Sequence, residues 1–284
     1  MTMRVAAIDS ATLILVLLLL GSPAAAQQQQ KSSRLGSIVQ CNGADRIPAQ
    51  IRIAGCTALI GSGDIRADAM ALAYNNRGNA YTATAQYDRA ISDFDRAIEL
   101  ASGYAKPVNN RGVAYLRKGE YDAAIKSFDE AIRLDPGHGS AFANRAEAYL
   151  KLNQYDRAAR DFGEAIRLAP DLTLAWSGRC WTLAVIGDLR AGLADCDKAI
   201  EAGLNDAATY DSRALIHLKM GQLAAAIDDY NSALRMAPNL ASALYGRGLA
   251  KLRQGDKAGG NRDVSAARVI ELKIADEFVR RGVP

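Results

Sequence analysis

Histidine is scarce in this chain. His138 and His217 are the only two, and neither stands beside a cysteine pair, which leaves a zinc site without its ligands. Cysteine is limited to four residues, and glycine and proline, at 24 and 7, stay at ordinary levels, which excludes collagen-like and low-complexity chains. Charge of one sign is also missing: 35 Lys and Arg face 31 Asp and Glu, a net +4. Nucleic-acid binding calls for basic residues concentrated on one face, so nucleic acid is not expected as a partner. No phosphate-binding P-loop occurs, and no nucleophile, base and orienting group can be assembled from the spacings. The reading is therefore a non-enzymatic protein with no cofactor. What is present is apolar residue, 49% of the chain, enough to exclude wholesale disorder.

Long hydrophobic runs are absent too. The single candidate, Ala11–Leu20, has ten residues where a membrane-crossing helix needs about 20. It follows Arg4, is broken by Gly21, Ser22 and Pro23, and leads to Ala24-Ala25-Ala26. That order predicts a secretory leader over residues 1–26, cut after Ala26, and a periplasmic or secreted mature protein with no stable membrane span. Residues 27–36 read as a flexible polar linker.

Self-similarity dominates the rest. The strings YNNRGNAY (74–81), VNNRGVAY (108–115), FANRAEAY (142–149), WSGRCWTL (176–183), YDSRALIH (210–217) and LYGRGLAK (244–251) start 34 residues apart. A second string, typified by YDRAISDFDRAIEL (87–100) and YDAAIKSFDEAIRL (121–134), keeps the same step. A fixed period of this length means stacked structural repeats. Each repeat reads as two helices. Position 8 is always small (Gly78, Gly112, Ala146, Cys180, Ala214, Gly248), as is position 20, while position 24 is bulky in most repeats. Position 15 is Gly119, Gly187, Gly221 or Gly255, with Asn153 serving in the third repeat, where a helix ends in a left-handed residue. Pro136, Pro170 and Pro238 stop the second helices.

These residues resemble the tetratricopeptide repeat. The resemblance covers residues 71–274 and implies an all-α, right-handed superhelical solenoid of six hairpins with capping helices at both ends. The repeats fall at 71–104, 105–138, 139–172, 173–206, 207–240 and 241–274. Residues 37–70, with the run Ile51–Ile60, are expected to form a degenerate helical cap. Residues 265–284 should form the other cap, with Ile270, Ile274 and Phe278 as its apolar stripe. In the sixth repeat Lys251 replaces an aromatic residue and Gly259-Gly260 enter the second helix, so looser packing is expected there.

Two cysteine sets are local, Cys41 with Cys56 and Cys180 with Cys196. The latter pair lies on facing helices of one repeat. An oxidising compartment permits disulfides, and pairing within each set is expected.

Position 7 is arginine in all six repeats, Arg77 to Arg247, and position 23 is Asp in five, Ser127 being the exception. The expectation is an ion pair within each of those five repeats. The binding surface is sought elsewhere. The resemblance implies that positions 2, 5, 6, 9 and 12 of the first helices line a concave face. There Asn75, Asn76, Asn79, Asn109, Asn110 and Asn144 offer carboxamides able to hold an extended peptide backbone, and Lys106 could hold a carboxylate. The later repeats present Trp181, Val185, Leu215, Leu218, Tyr245, Leu249 and Leu252, an apolar lining. The implied function is binding of a protein or peptide segment. The alternatives are a scaffold subunit of an envelope complex, using its convex face or end caps, and a binder of envelope polysaccharide.

Overall fold

The computed structural model describes residues 23–43, 46–63 and 65–283. The expected leader lies outside them except for residues 23–26. No strand is assigned among the described residues, whose long elements are all α-helices, and the chain divides into two compact units, residues 1–118 and 119–284. The first holds α1 (Pro23–Asn42), α2 (Ala49–Ser62), α3 (Ala67–Ala83), α4 (Tyr87–Leu100) and α5 (Ala105–Lys118). The second holds α6 (Tyr121–Leu134), α7 (Gly139–Lys151), α8 (Tyr155–Leu168), α9 (Thr173–Ile186), α10 (Leu189–Glu201), α11 (Ala207–Lys219), α12 (Leu223–Met236), α13 (Ala241–Gln254), α14 (Lys257–Ile270) and α15 (Ile274–Arg280). Within each unit helices pack in chain order. The first helices of successive hairpins also touch: α1 on α3 and α3 on α5 in one unit, α7, α9, α11 and α13 in the other.

Local chemistry explains the boundaries. The connection after each first helix needs one left-handed residue. Gly119, Gly187, Gly221 and Gly255 supply it with φ between +74° and +97°, and Asn153 does so at +57°. The first repeat uses Ala85 at +57°, where a Cβ makes the conformation costly. Asp188, Asp206 and Asp256 cap α10, α11 and α14 by accepting from backbone N–H groups of the first turn.

The rule of small and bulky positions has a side-chain cause. A Cβ on Gly78 would lie 2.6 Å from the Phe94 ring, so position 8 is small because the position-24 ring of the same hairpin rests on it. Gly178 faces Phe162 and Gly246 faces Tyr230, so the ring also touches position 6 of the following repeat. Phe94, Phe128 and Tyr230 are fully buried, each stabilising the stack by about 1.5–3 kcal/mol. In the fourth repeat cysteines occupy this meeting point. Cys180 and Cys196 are bonded with Cα atoms 5.2 Å apart, and Cys41 and Cys56 join α1 to α2 at 4.6 Å.

Three expectations are revised. Residues 27–36 are helical, inside α1. Gln, Lys and Ser carry no helix-breaking feature, and the end of α1 docks on α2 through Ile38 and Cys41. The stripe Ile270, Ile274, Phe278 is not one helix. The chain breaks at Glu271–Lys273, leaving Ile270 at the exposed end of α14 while Ile274 and Phe278 are buried from α15. The sixth repeat is not loose. A Cβ on Gly248 would meet Val264 at 2.8 Å and the Gly260 carbonyl at 2.9 Å, so paired glycines bring α13 and α14 close.

Candidate binding surface on the first helices

The arginine row is committed to the fold. Arg77, Arg145, Arg179, Arg213 and Arg247 each grip the position-23 aspartate of their own repeat through Nε and Nη2, at 2.6–2.8 Å. The remaining Nη1 reaches back to position 25 of the preceding repeat. It meets Asp95 from Arg111, Asp129 from Arg145, Asp197 from Arg213 and Asn231 from Arg247, at 2.6–2.8 Å. One guanidinium thus ties two repeats together, a linkage absent from the expectation. These hydrogen bonds outweigh burial and raise the pKa values of Arg77, Arg145 and Arg213. Burial pushes Asp263 up, but its bonds to Arg247 and Lys251 leave it below the usual carboxylate range. The expected aromatic at position 11 is replaced in the sixth repeat by Lys251, which bonds Asp263 at 2.8 Å.

The asparagines form a chain of their own. Asn109 Nδ2 donates to Asn110 Oδ1 at 3.3 Å, and Asn110 Nδ2 to Asn75 Oδ1 at 3.0 Å. Asn75 Nδ2 donates to Asn76 Oδ1 at 3.4 Å, and Asn76 Nδ2 to Asn42 Oδ1 at 3.0 Å. Five carboxamides therefore run in series from α5 through α3 to the end of α1. Asn42 escaped the sequence reading although it lies 34 residues before Asn76, one repeat step. Asn75 and Asn109 are buried, while Asn76 and Asn110 stay partly open to solvent.

The other named residues are placed differently. Asn79 and Asn144 are partly exposed on α3 and α7, and Lys106 is exposed on α5. Trp181 packs its ring edge-on against Tyr155 at 5.8 Å, and Tyr245 is buried against Phe278 at 4.9 Å, so neither stands free. Position 6 of the fourth and sixth repeats is glycine to admit the Phe162 and Tyr230 rings, a packing cause. His217 holds Gln222 at 2.5 Å and lies 3.6 Å from Asp229. Among the described residues no group of His, Cys, Asp and Glu is arranged to hold a metal, and no helix is long and apolar enough to cross a membrane.

A buried polar group also went unread. Asp211, at position 5 of the fifth repeat, accepts from Ser242 Oγ at 2.8 Å through Oδ2. Its Oδ1 and the Tyr230 hydroxyl are shut off from solvent with no hydrogen-bond partner. Burial raises Asp211 from 3.8 to about 6, against the Ser242 bond and the Arg281 charge, and raises Tyr230 as well. A carboxyl whose folded pKa is raised holds its proton more tightly than in the unfolded chain. Its contribution favours folding at low pH and is lost as pH rises from about 4 through about 6. Asp211→Asn should therefore stabilise the protein above pH 6 by about 2–3 kcal/mol, with the gain shrinking towards pH 4. Urea unfolding at both ends of that range reads the difference, and an equal offset at both would contradict it.

Helical hairpins of fixed length, stacked in order within each unit and cross-tied by Arg111, Arg145, Arg213 and Arg247, define a repeat protein whose side-by-side first helices offer a surface in each unit. The chain belongs to the tetratricopeptide repeat family: the tetratricopeptide repeat profile matches residues 71–104, 105–138 and 139–172, and a second TPR repeat profile matches residues 214–255. No curated protein matches the chain. Among solved structures, YrrB, described as a TPR protein with an unusual peptide-binding site, is 23% identical with a TM-score of 0.54, over 68% of this chain and 97% of that one. A tetratricopeptide repeat protein from Parabacteroides merdae is 18% identical with a TM-score of 0.62, over 90% and 99%. PilF of Pseudomonas aeruginosa is 15% identical with a TM-score of 0.65, over 75% and 98%. At these identities the likeness is one of fold. Proteins of this family are protein–protein interaction modules, and that is the class of work this chain performs.

Proposed function

We propose that the first helices bind an extended segment of a partner protein, with the asparagine chain of α1, α3 and α5 as the main-chain reader, and that the protein works in the periplasm or outside the cell. The observation that carries the reading is the serial hydrogen bonding of the amides. Each carboxamide has two N–H groups and two lone pairs. The chain uses one N–H of Asn76 and Asn110, which fixes the amide planes. The second N–H and a lone pair remain for a ligand backbone, already oriented, so less ordering entropy is lost on binding. The peptide-binding site reported for YrrB, on a related fold, agrees with this use. The two bonded cysteine pairs agree with an oxidising compartment.

The test is the double variant Asn76→Ala, Asn110→Ala, assayed by calorimetric titration against a partner captured with the parent protein from the cell envelope. Affinity should fall at least about tenfold, equivalent to about 1.4 kcal/mol. Because both amides also bond neighbouring asparagines, stability should drop by about 1–2 kcal/mol, read as a lower melting temperature. Unchanged affinity would remove the ladder from the site. The scaffold reading keeps one observation in its favour: Val269 and Leu272 stand 87% and 84% exposed where α14 meets α15, an apolar edge suited to a neighbouring subunit.

A further inference from the structure

Part of the apolar lining of the later repeats, Leu215, Leu218 and Tyr245, is covered by the chain itself. After the break at Glu271–Lys273, α15 packs on α13 and α14. Ile274, Phe278 and Val283 are buried in one cluster with Leu215, Leu218 and Tyr245. The chain turns at Gly282, φ +76°, and the Arg281 carbonyl accepts from Lys219 Nζ at 2.8 Å. The same Nζ donates to the Ala184 carbonyl at 2.7 Å. The segment is thereby bonded to Lys219 of α11, whose ammonium also holds α9, and Phe278 packs on Tyr245 of α13. Closing the sixth repeat requires contact with α13 and α14 alone, yet the segment reaches α11 of the fifth repeat. The residues it is buried with fall on position 5 (Tyr245), position 9 (Leu215) and position 12 (Leu218), which the resemblance assigns to ligand. At seven residues α15 is too short to hold its own helical structure, so the surface beneath it supplies the order, as a receptor does for a docked peptide.

The fit is incomplete at one point. Arg281 lies near Asp211, but its guanidinium bonds Glu277 at 2.7 Å and covers the Phe278 ring at 5.5 Å. Asp211 Oδ1 is left without a partner. An incoming segment with an aromatic residue and a freer cation three positions later would fill the same pocket and add that bond.

We propose that the surface over α11 and α13 is a second binding site, specific for a partner segment with an aromatic residue followed three positions on by a basic one, and that residues 274–283 occupy it in cis until such a segment displaces them. This rests on the reading of the first helices as the binding surface, but not on the asparagine chain, which lies in the other compact unit. Occupancy in cis is favoured by tethering, since a linked segment competes at an effective concentration of about millimolar.

The experiment uses the full chain and a fluorescein-labelled peptide of residues 272–284. In the variant Phe278→Ser, Val283→Ser, whose own segment is dislodged, fluorescence anisotropy should report peptide binding at least about tenfold tighter than in the parent. The same peptide with its Phe replaced by Ser should not bind. A variant with the parent's circular dichroism but no gain in affinity would overturn the proposal. Should the variant fail to fold, native-state hydrogen exchange of the parent decides. Amides of 274–283 that open while α11 and α13 stay protected support displacement, and exchange only together with those helices overturns it. The Asn76→Ala, Asn110→Ala variant should bind this peptide like its parent, so failure of the ladder and failure of this site are told apart.

Discussion

Asp195→Ala is expected to destabilise the protein by about 3 kcal/mol, more than the equivalent change in any other repeat with a second carboxylate at hand. Arg179 is held by Asp195 alone, through Nε at 2.6 Å and Nη2 at 2.8 Å, and the aspartate side chain is 5% exposed. Breaking a buried pair by removing one member leaves the other charge uncompensated, which costs about 3–5 kcal/mol in full burial. Arg179 keeps some water contact, which sets the lower end. In Asp229→Ala the guanidinium of Arg213 would retain Asp197 at 2.7 Å, and the loss should be smaller by about 1 kcal/mol. The difference arises from a gap. Position 25 of the third repeat is Gly163, and a Cβ built there would lie 3.4 Å from Arg179 Nη1, in ordinary contact. Gly163→Asp should complete the row and stabilise the protein by about 1 kcal/mol, while Gly163→Ala isolates the share due to helix propensity, about 0.5–1 kcal/mol. Urea unfolding of the four variants checks the order. Equal losses for Asp195→Ala and Asp229→Ala would contradict the two-repeat linkage.

Gly246→Ala should cost about 3 kcal/mol, although an alanine in the middle of a helix ordinarily gains about 1 kcal/mol over glycine. The new Cβ would fall on Cζ and the hydroxyl of Tyr230 and lie 2.8 Å from Cε1. Tyr230 is fully buried, so its ring has nowhere to swing. Shortening the ring should relieve the clash. In a Tyr230→Leu background the alanine substitution should cost little, a coupling of about 2–3 kcal/mol measured by the double-mutant cycle. Additive losses would mean that the ring of one repeat does not seat against position 6 of the next.

How far such effects could be read from the sequence depends on whether the causal contact repeats. Position 8 beside position 24 recurs in nearly every hairpin, so the helix pairs and the Cys180–Cys196 bond were legible. The Arg–Asp pairing within a repeat was legible for the same reason. The link from position 7 to position 25 of the preceding repeat was missed because each repeat was read by itself, although Asp95, Asp129 and Asp197 keep the 34-residue step. The asparagines were recognised as candidates, but their mutual bonding depends on amide orientation, which composition does not encode. Asn42 was hidden because α1 ends there rather than continuing like the other first helices. Least legible was the segment around Phe278. A single apolar stripe through Ile270 fits the pattern as well as the broken one does, and what decides is the surface of α11 and α13 that the segment covers.

Partners are expected to meet the open side of the first helices. Site-specific photo-crosslinking distinguishes the two faces, with the reactive group placed at Asn79 on α3 and, in a parallel protein, at Arg96 on the second helix of the same hairpin. Both positions leave the arginine ties and the packed rings untouched. The prediction is that the partner crosslinks from position 79 and not from position 96. Crosslinking from position 96 alone would show that the second helices carry the interaction and would contradict the account.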